Sequence, residues 1–271
     1  MAQPPKPPSS ARPATVSARL KLTVGDLAID TTIAVPAAPA PAEAVLPALR
    51  TLINATVGAV EARERSEGRE ISCRKGCGAC CRQLVPISQT EQRAIRTLVA
   101  AQPKPRRKVL MQRFAAASQA LRSVGLADEL LDPTKRAGRR DRELSLAYFA
   151  LGLACPFLEE ESCSIHPDRP LVCREYSVTS PAPLCSNSDQ AGVEPVKAPK
   201  LSVAARGLEN EIAGRDTATD WIPLALALDG PPQRASAART GPDWMQRFFA
   251  AMQGAAQRGA EPGDGRPHRH E

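Results

Sequence analysis

The spacing of apolar and polar residues predicts a β-hairpin near the start of the chain. Between Arg19 and Val35 apolar residues alternate with polar ones, and Gly25-Asp26 separates the two runs. A period of two residues, interrupted by a glycine-containing turn, is typical of paired strands. The preceding residues 1–18 are Pro-rich and polar without periodicity, so we expect a disordered tail there.

The rest of the chain is dominated by helical periodicity. After a stiff Pro- and Ala-rich linker at residues 36–42, apolar residues at a helical spacing predict a helix from Glu43 to about Glu67. Ser88 and Glu91 form a capping-box pattern for a second helix that ends near Ala101. The sequence predicts further helices at Arg106–Ser123, Leu144–Leu153, Leu201–Ile212 and Asp243–Gln257. The apolar segment Trp221–Leu228 fits either a helix or a buried strand.

Composition indicates a modest hydrophobic core. The 271 residues include 26 prolines but only five Phe, two Trp and two Tyr, and aromatic side chains bury the most apolar area each. A thin core commonly needs a bound metal or another cross-link. We therefore expect a mainly α fold with an irregular, cysteine-rich metal-binding core and a small β-hairpin near the N-terminus. The expected divisions are a tail (1–18), a hairpin with a helix (19–69), a cysteine-cluster domain (70–190), a helical extension (191–257) and a disordered tail (258–271).

All eight cysteines lie between residues 73 and 185. Cys77 and Cys80 form a Cys-x-x-Cys pair, whose loop allows two sulfurs to bind one ion at about 2.3 Å. Gly76 and Gly78 flank Cys77 and permit the positive φ values that such a knuckle needs. Four of the cysteines lie at residues 73–81 and the other four at residues 155–185. We predict that folding brings these two groups of thiols together around metal. The candidate ligands are Cys73, Cys77, Cys80, Cys81, Cys155, Cys163, Cys173 and Cys185.

The cellular compartment bears on whether these cysteines are reduced. Residues 1–19 contain no apolar run typical of a signal peptide, and the sequence lacks the ~20 apolar residues of a membrane span. We therefore predict a cytoplasmic protein that does not enter the membrane, in which thiols stay reduced. A disulfide framework and a catalytic dithiol remain as alternatives to metal binding.

Positive charge raises the question of a nucleic-acid partner. The formal net charge is +7, and residues 102–142 contain eleven Lys or Arg residues. The simpler interpretation is a solvated helix face and a charged loop. A surface for nucleic acid or an acidic partner is the alternative, although the sequence contains no recognised nucleic-acid motif.

Two cysteine signatures occur together in this chain. The first is Cys73-x-x-x-Cys77-Gly78-x-Cys80-Cys81-Arg82, and the second is Cys155-Pro156-Phe157-Leu158 followed by Cys163-Ser164-Ile165-His166-x-x-Arg169-Pro170-x-x-Cys173-Arg174-x-Tyr176. The joint pattern resembles the YkgJ-type cysteine-cluster family, a zinc- or iron-chelating domain, over about residues 70–190. The resemblance implies that the seven cysteines of the two signatures are metal ligands and that Cys185 is a further one.

Eight thiols suit two four-cysteine zinc ions, or one iron–sulfur cluster with ligands to spare. The first hypothesis is a metal-binding module that chelates zinc or iron, with no biological role assigned. The second is an iron–sulfur redox or electron-transfer enzyme. The sequence contains no Gly-x-Ser-x-Gly, P-loop, Gly-x-Gly-x-x-Gly or His-Glu-x-x-His motif, so no catalytic residue is assigned.

Charged neighbours of the cysteines suggest additional roles. Arg74, Lys75, Arg82, Arg169 and Arg174 lie beside the sulfurs in sequence and are expected to lower the pKa of the thiols. The alternative for Arg169 and Arg174 is a salt bridge to Asp168, Glu175 or Glu91. His166 lies near Cys163 and is either a further ligand or a packed or surface residue.

Overall fold

A computed structural model describes residues 14–137, 141–186, 192–209, 221–230 and 237–259. The strands are β1 (Thr15–Val24), β2 (Leu27–Pro36), β3 (Pro86–Ile87), β4 (Leu158–Glu159), β5 (Ser162–Cys163) and β6 (Ile222–Pro223). The helices are α1 (Leu46–Ser66), α2 (Gln89–Ala100), α3 (Lys104–Ser123), α4 (Leu126–Leu131), α5 (Pro133–Ala137), α6 (Asp141–Ala150), α7 (Leu171–Glu175), α8 (Leu201–Arg206) and α9 (Gly241–Gly259). The expected mainly α fold with an N-terminal strand pair is confirmed. Within the described ranges, no helix combines the length and apolar character needed to cross a bilayer.

The N-terminal hairpin pairs β1 with β2 in antiparallel register, from Thr15 opposite Pro36 to Val24 opposite Leu27. Gly25 has a φ of 62° in the connecting turn, a conformation that glycine adopts without a steric cost. The expected disorder up to residue 18 is wrong for residues 15–18, because β2 continues to Pro36 and provides them with backbone partners. Residues 1–13 lie outside the described part of the chain.

The first hydrophobic core lies between β2, α1, α8 and α9. Alternate residues of β2 point inward, and Leu49 and Leu52 of α1 pack against them together with Trp244 and Phe248 of α9. A Cβ atom at Gly241 would lie 2.5 Å from the Cβ atom of Val35, so glycine lets the start of α9 approach β2 closely. The Trp244 indole N–H donates to the Ala40 carbonyl at 2.9 Å. Residues of the predicted linker therefore contact the C-terminal helix.

Helix α1 and the helices after it largely follow the sequence signals. A short 3₁₀ turn at Ala42–Val45 precedes α1, and α8 ends at Arg206, whereas the sequence predicted a helix to Ile212. The capping box of Ser88 and Glu91 is present at the start of α2. Residues 210–212 and 260–271 fall among those that are not described.

The segment Trp221–Leu228 is neither of the two predicted elements. Ile222 pairs with Ile87 of β3, and a 3₁₀ turn at Leu224–Leu226 follows at once. Leu224 packs with α2 and α3, while Trp221 packs with α4 and α6. This segment therefore lies between two further hydrophobic clusters, which explains its apolar character without a long regular element.

Several arginine side chains within residues 102–142 form ion pairs or a ring contact with other residues of the protein. Arg106 and Arg113 form ion pairs with Glu159, at 2.5 Å and 2.8 Å. Arg122 pairs with Asp229 at 2.8 Å, and the Arg136 guanidinium lies 4.2 Å from the centre of the Trp221 ring. These contacts favour a structural role for this part of the basic region, and nucleic-acid binding gains no support from them.

Candidate metal centre

The first four cysteines lie on a chain of tight turns. The Cys77 N–H donates to the Arg74 carbonyl at 3.1 Å, and the Cys81 N–H donates to the Gly78 carbonyl at 2.9 Å. Gly76 has a φ of 91°, as expected for a cysteine knuckle. The expected positive φ is wrong for Gly78, which is absent from the positive-φ glycines of the described residues.

Gly78 is required for a different reason, namely the close approach of another segment. A Cβ atom at this position would lie 2.4 Å from the Glu161 carbonyl oxygen and 2.6 Å from a methyl carbon of Leu158. Such distances are far below van der Waals contact, and one of the two atoms is backbone. The first cysteine segment therefore packs directly against the β4–β5 hairpin because position 78 has no side chain.

The β4–β5 hairpin holds Cys163 in place. Cys163 pairs with Leu158, and the two-residue turn between the strands consists of Glu160 and Glu161, which have φ values of 47° and 53°. The two-residue turn that fits the twist of a hairpin requires a positive φ at both of its residues. Residues other than glycine adopt a positive φ only at a steric cost. The Arg82 guanidinium donates two hydrogen bonds to the Glu161 carboxylate, at 3.0 Å and 2.7 Å. This ion pair ties the turn to the residue that follows Cys81.

A backbone hydrogen bond joins the two cysteine segments. The Cys155 N–H donates to the Cys81 carbonyl at 2.7 Å, and the Leu158 N–H then donates to the Cys155 carbonyl at 2.8 Å. Together with the contact at Gly78, this bond places the segment around Cys155 and Cys163 directly against the Cys73–Cys81 knuckle. The structure thus brings the two halves of the cysteine set together.

The last two cysteines are carried by α7 and by a 3₁₀ turn. Cys173 lies in α7, whose first N–H, at Leu171, donates to the Glu91 carboxylate at 2.8 Å. Cys185 lies in the turn Ala182–Ser186, and the Ser186 hydroxyl donates to the Ala79 carbonyl at 3.2 Å. Each of these elements is therefore fixed by a contact with a part of the chain far away in sequence.

All eight cysteines are free thiols in this structure, and seven are partly buried while Cys185 is buried. Burial raises the pKa of Cys155 to about 12 and that of Cys185 to about 11, and it raises the pKa of Cys173 well above its usual value. Contact with the Cys81 thiol, followed by burial, raises the pKa of Cys80. The expected net lowering of thiol pKa by neighbouring cations is therefore wrong for these residues, because burial and thiol–thiol contact outweigh it. A bound cation would reverse the balance, since metals bind the deprotonated sulfur.

The thiols can be grouped by the neighbours whose charge adds to the burial that raises the pKa of Cys185 and of Cys173. In the first set, Cys185 interacts with Cys73, Cys77 and Cys80. In the second, Cys173 interacts with Cys155, Cys163 and again Cys80. Cys80 belongs to both sets and contacts Cys81. As the side chains stand, no group of three or more His, Cys, Asp or Glu residues in the described ranges is arranged to hold a metal ion.

Arg174 has a structural role. It is buried, and its guanidinium donates to the Pro167 and Arg169 carbonyls and to the Asn54 side-chain oxygen, the last at 3.2 Å. Burial lowers the pKa of Arg174 to about 10, with the charge of Arg169 adding to the effect. Its contacts are with carbonyl and amide oxygens, so the predicted salt bridge to a nearby carboxylate is wrong for Arg174.

The predicted carboxylate partners are engaged elsewhere. Asp168 pairs with Arg50 at 2.7 Å, and the Glu175 carboxylate accepts hydrogen bonds from the backbone and hydroxyl of Ser202. The Glu91 carboxylate accepts hydrogen bonds from the Ser88 N–H in the capping box of α2 and from the Leu171 N–H at the start of α7. None of the three carboxylates forms an ion pair with Arg169 in the part of the chain that the structure describes, so that alternative is wrong for Arg169 as well.

Arg169 instead faces the thiols. Its Nε atom is buried and has no hydrogen-bond partner among the described residues. Burial raises the pKa of Cys73 and of Cys163, and contact with Cys81 raises the pKa of Cys80. The positive charge of Arg169 opposes the rise in the pKa of each of these three thiols. A buried donor without a partner is costly. An anionic metal–thiolate group beside these sulfurs would satisfy it, so the residues present fit such a group.

Two other side chains border the thiols. His166 lies in a 3₁₀ turn and is half-buried, and burial, together with the charges of Arg169 and Arg174, lowers its pKa and favours neutral imidazole. Its role as a ligand stays a prediction. The Gln83 side-chain amide donates to the Tyr176 hydroxyl at 3.5 Å, and Tyr176 is close enough to Cys185 to oppose the rise in the pKa of that thiol. The contact between Gln83 and Tyr176 could not be predicted from local sequence, because the two residues are far apart along the chain.

Comparison with known proteins identifies the central region. Residues 72–197 match the CxxCxxCC family model, which is described as a "putative zinc- or iron-chelating domain". This agrees with the resemblance inferred from the two cysteine signatures. No curated protein and no solved structure matches the chain.

Proposed function

We propose that the protein holds zinc or iron through its eight cysteine thiolates, because residues 72–197 match the model of a zinc- or iron-chelating family. The observation that carries the proposal is the hydrogen bond from the Cys155 N–H to the Cys81 carbonyl at 2.7 Å. This bond joins two cysteine-bearing segments that are far apart in sequence. The proposal also assigns the protein to the cytoplasm, where thiols stay reduced.

The two electrostatic sets suggest how the ligands are divided. One centre would use Cys73, Cys77 and Cys185, and the other would use Cys155, Cys163 and Cys173. The adjacent pair Cys80 and Cys81 would supply one sulfur to each, so that both centres have four thiolates. Four-thiolate zinc would cross-link the chain, whereas an iron–sulfur cluster would allow electron transfer.

Arg169 is proposed to balance the negative charge of the loaded thiolates. Four thiolates around a divalent ion carry a net negative charge, and the Arg169 charge acts on Cys80 and on one thiol from each set, Cys73 and Cys163. Its buried Nε–H would donate to one of these sulfurs. Hydrogen bonds from such outer partners orient ligands and tune their metal.

Anaerobic purification followed by elemental analysis and absorption spectroscopy tests the proposal. Stoichiometric zinc in a colourless protein would support two structural or cargo centres. Iron with equimolar sulfide and a brown colour would support the iron–sulfur version. A chain that contains neither metal, and that takes up neither when it is reconstituted under reducing conditions, would contradict the proposal.

Single substitutions test the division into two centres. Cys77→Ser and Cys173→Ser each remove a ligand from a different set, so we expect each variant to lose about half of the metal content of the parent chain, because each centre needs four donors. Ser17→Ala, at an exposed position of β1, is the control and should keep all of it. Full metal content in both cysteine variants would contradict the assignment of these ligands.

A further inference from the structure

A cleft of about 880 Å³ opens beside the first cysteine segment. This volume falls within the range of small-molecule sites in proteins. Its walls come from within residues 70–79, from Glu161 and from within residues 179–186. Of the eight cysteines, all of which the structure describes, Cys77 alone lines the cleft.

Hydrogen bonds join residues on different walls of the cleft. The Ser72 hydroxyl donates to the Thr179 carbonyl at 3.0 Å, and the Ser186 hydroxyl donates to the Ala79 carbonyl at 3.2 Å. At Gly76, next to Cys77, a Cβ atom would meet no atom within 4 Å. The backbone beside Cys77 therefore faces open space, and a small molecule could reach this cysteine without displacing a side chain at position 76.

Arg74 places a positive charge on the cleft wall near Cys77, and this charge would attract an anionic ligand. Arg74 lines the cleft and is exposed, without an ion pair or a side-chain hydrogen bond in the described part of the chain. The charge of Glu161 is engaged by Arg82 at 2.7 Å. Glu70 also lines a neighbouring cleft of about 520 Å³, which places it at the boundary between the two clefts. Arg74 is therefore the uncompensated charge closest in sequence to Cys77 on the cleft wall.

We propose that this cleft is the place where bound metal is exchanged with small carboxylate-bearing chelators, and that Cys77 is the ligand displaced first. The inference rests on the proposed metal-binding function and adds a route and a ligand class to it. When metal is bound, a donor atom of the chelator would bond to it as the bond between the metal and the Cys77 sulfur breaks. The released thiolate takes a proton from solvent, and no electron is transferred.

Zinc transfer from the loaded full-length chain to EDTA tests the route. If the chelator attacks through the cleft, the transfer rate rises with EDTA concentration. Ala182→Phe places a large side chain on the cleft wall and should slow transfer severalfold. Ala116→Phe, at an exposed position of α3, should leave the rate unchanged.

Charge reversal tests the ligand class. Arg74→Glu should slow transfer to the anionic chelator EDTA severalfold but leave transfer to the uncharged pyridyl chelator TPEN unchanged. The difference should vanish at about 1 M salt, where the screening length is only about 3 Å. Lys104→Glu, an exposed charge reversal at the start of α3, should affect neither chelator.

Three results would overturn the inference. A zinc-loaded chain that releases its metal at a rate independent of EDTA concentration, or an Ala182→Phe variant as fast as the parent, would contradict exchange through the cleft while leaving the proposed function intact. A chain that holds neither zinc nor iron, and that takes up neither when it is reconstituted under reducing conditions, would contradict the proposed function itself, and the inference with it.

Discussion

At the scale of single residues, Glu161 is where the two cysteine segments are most tightly packed. Its φ is 53°, its carbonyl oxygen fills the space that a Cβ of Gly78 would need, and its carboxylate accepts from Arg82. A left-handed conformation costs a non-glycine residue roughly 1–2 kcal/mol. The surrounding contacts therefore hold a strained residue beside the candidate metal centre, where strain of this kind is common.

Gly78→Ala should disturb this contact. Because the added carbon would meet the Glu161 carbonyl oxygen at 2.4 Å, the hairpin that carries Cys163 must move. We expect a loss of about 1–3 kcal/mol in the free energy of unfolding, measured by chemical denaturation, and a lower metal content.

Gly58→Ala is the matched control for this substitution. Gly58 lies in the middle of α1 with nothing within 4 Å of a Cβ position, so alanine should stabilise the helix by about 0.5–1 kcal/mol. Equal stability of the two variants would show that the close approach at Gly78 is unimportant.

Substitutions of Arg169 should separate its charge from its packing. Arg169→Met removes both the charge and the buried Nε–H, and we expect metal affinity to fall by about 10-fold or more. Arg169→Lys retains the charge and should recover part of the loss. Competition with a chromophoric chelator measures both, and Arg19→Met, on the exposed strand β1, is the control. An unchanged affinity in Arg169→Met would rule out the proposed charge balance.

Local sequence could predict the residues that make short-range contacts but not those that make long-range ones. The positive φ of Gly76 could be predicted from its position directly before Cys77, where only neighbouring residues matter. The role of Gly78 depends on Glu161 and Leu158, which are far away in sequence. The partners of Arg174 are likewise remote or are backbone carbonyls, which have no signature in a sequence.

At the scale of elements, Glu91 links the starts of two helices. One carboxylate oxygen accepts from the backbone and hydroxyl of Ser88 in the capping box of α2. The other accepts from the Leu171 N–H at the start of α7. The capping box could be predicted because its partners are three residues apart, whereas the bond to α7 could not. The helix that carries Cys173 thus depends on a residue of α2.

Two substitutions at this link should have different consequences. Ser88→Ala removes the cap of α2 and should cost about 1 kcal/mol. Glu91→Ala also leaves the Leu171 N–H without its acceptor, and each buried group that loses its partner costs about 1–3 kcal/mol. We expect Glu91→Ala to lose metal while Ser88→Ala keeps it, as measured by denaturation and elemental analysis. Identical metal content in the two variants would show that α7 does not depend on Glu91.

The ion pairs between α3 and β4 should make stability depend on pH. Hydrogen bonds and charges from Arg106 and Arg113 lower the pKa of Glu159. A lowered folded-state pKa contributes stability that is fully present above the unfolded pKa of about 4.3. That contribution is lost as the pH falls through the lower folded-state value. Glu159→Gln should therefore reduce stability at pH 7 and weaken its acid dependence in denaturation experiments. An unaltered pH profile would mean that these pairs are fully screened by solvent.

At the scale of the whole molecule, one hydrophobic core joins the two ends of the described chain to the candidate metal centre. Leu171 of α7 packs in the same cluster as residues of β2, α1 and α9, and Cys173 lies two residues further on. This core contains residues from three of the divisions expected from sequence. Periodicity could predict each helix, but which faces share a core depends on distant pairs such as Gly241 and Val35.

Metal removal should therefore weaken the terminal core as well as the cysteine region. The two tryptophans report on different clusters, Trp244 on the core with α1 and α9 and Trp221 on the cluster with α4 and α6. In the single-tryptophan variants Trp221→Phe and Trp244→Phe, chelation should lower the thermal midpoint of both fluorescence transitions, because metal that binds only the folded chain stabilises it. A Trp244 transition that chelation does not move would show that the terminal core folds independently.

The distance along the chain between Cys81 and its hydrogen-bond partner Cys155 has a consequence for synthesis. Translation proceeds at about 5–20 residues per second, so Cys185 leaves the ribosome several seconds after Cys81. During that interval the early thiols lack the partners that later bury them, and they are open to oxidation or to mismatched ions. If both halves supply ligands, as proposed, metal can bind fully only after the second half of the cysteine set has emerged, so the order of emergence is part of how the centre would form.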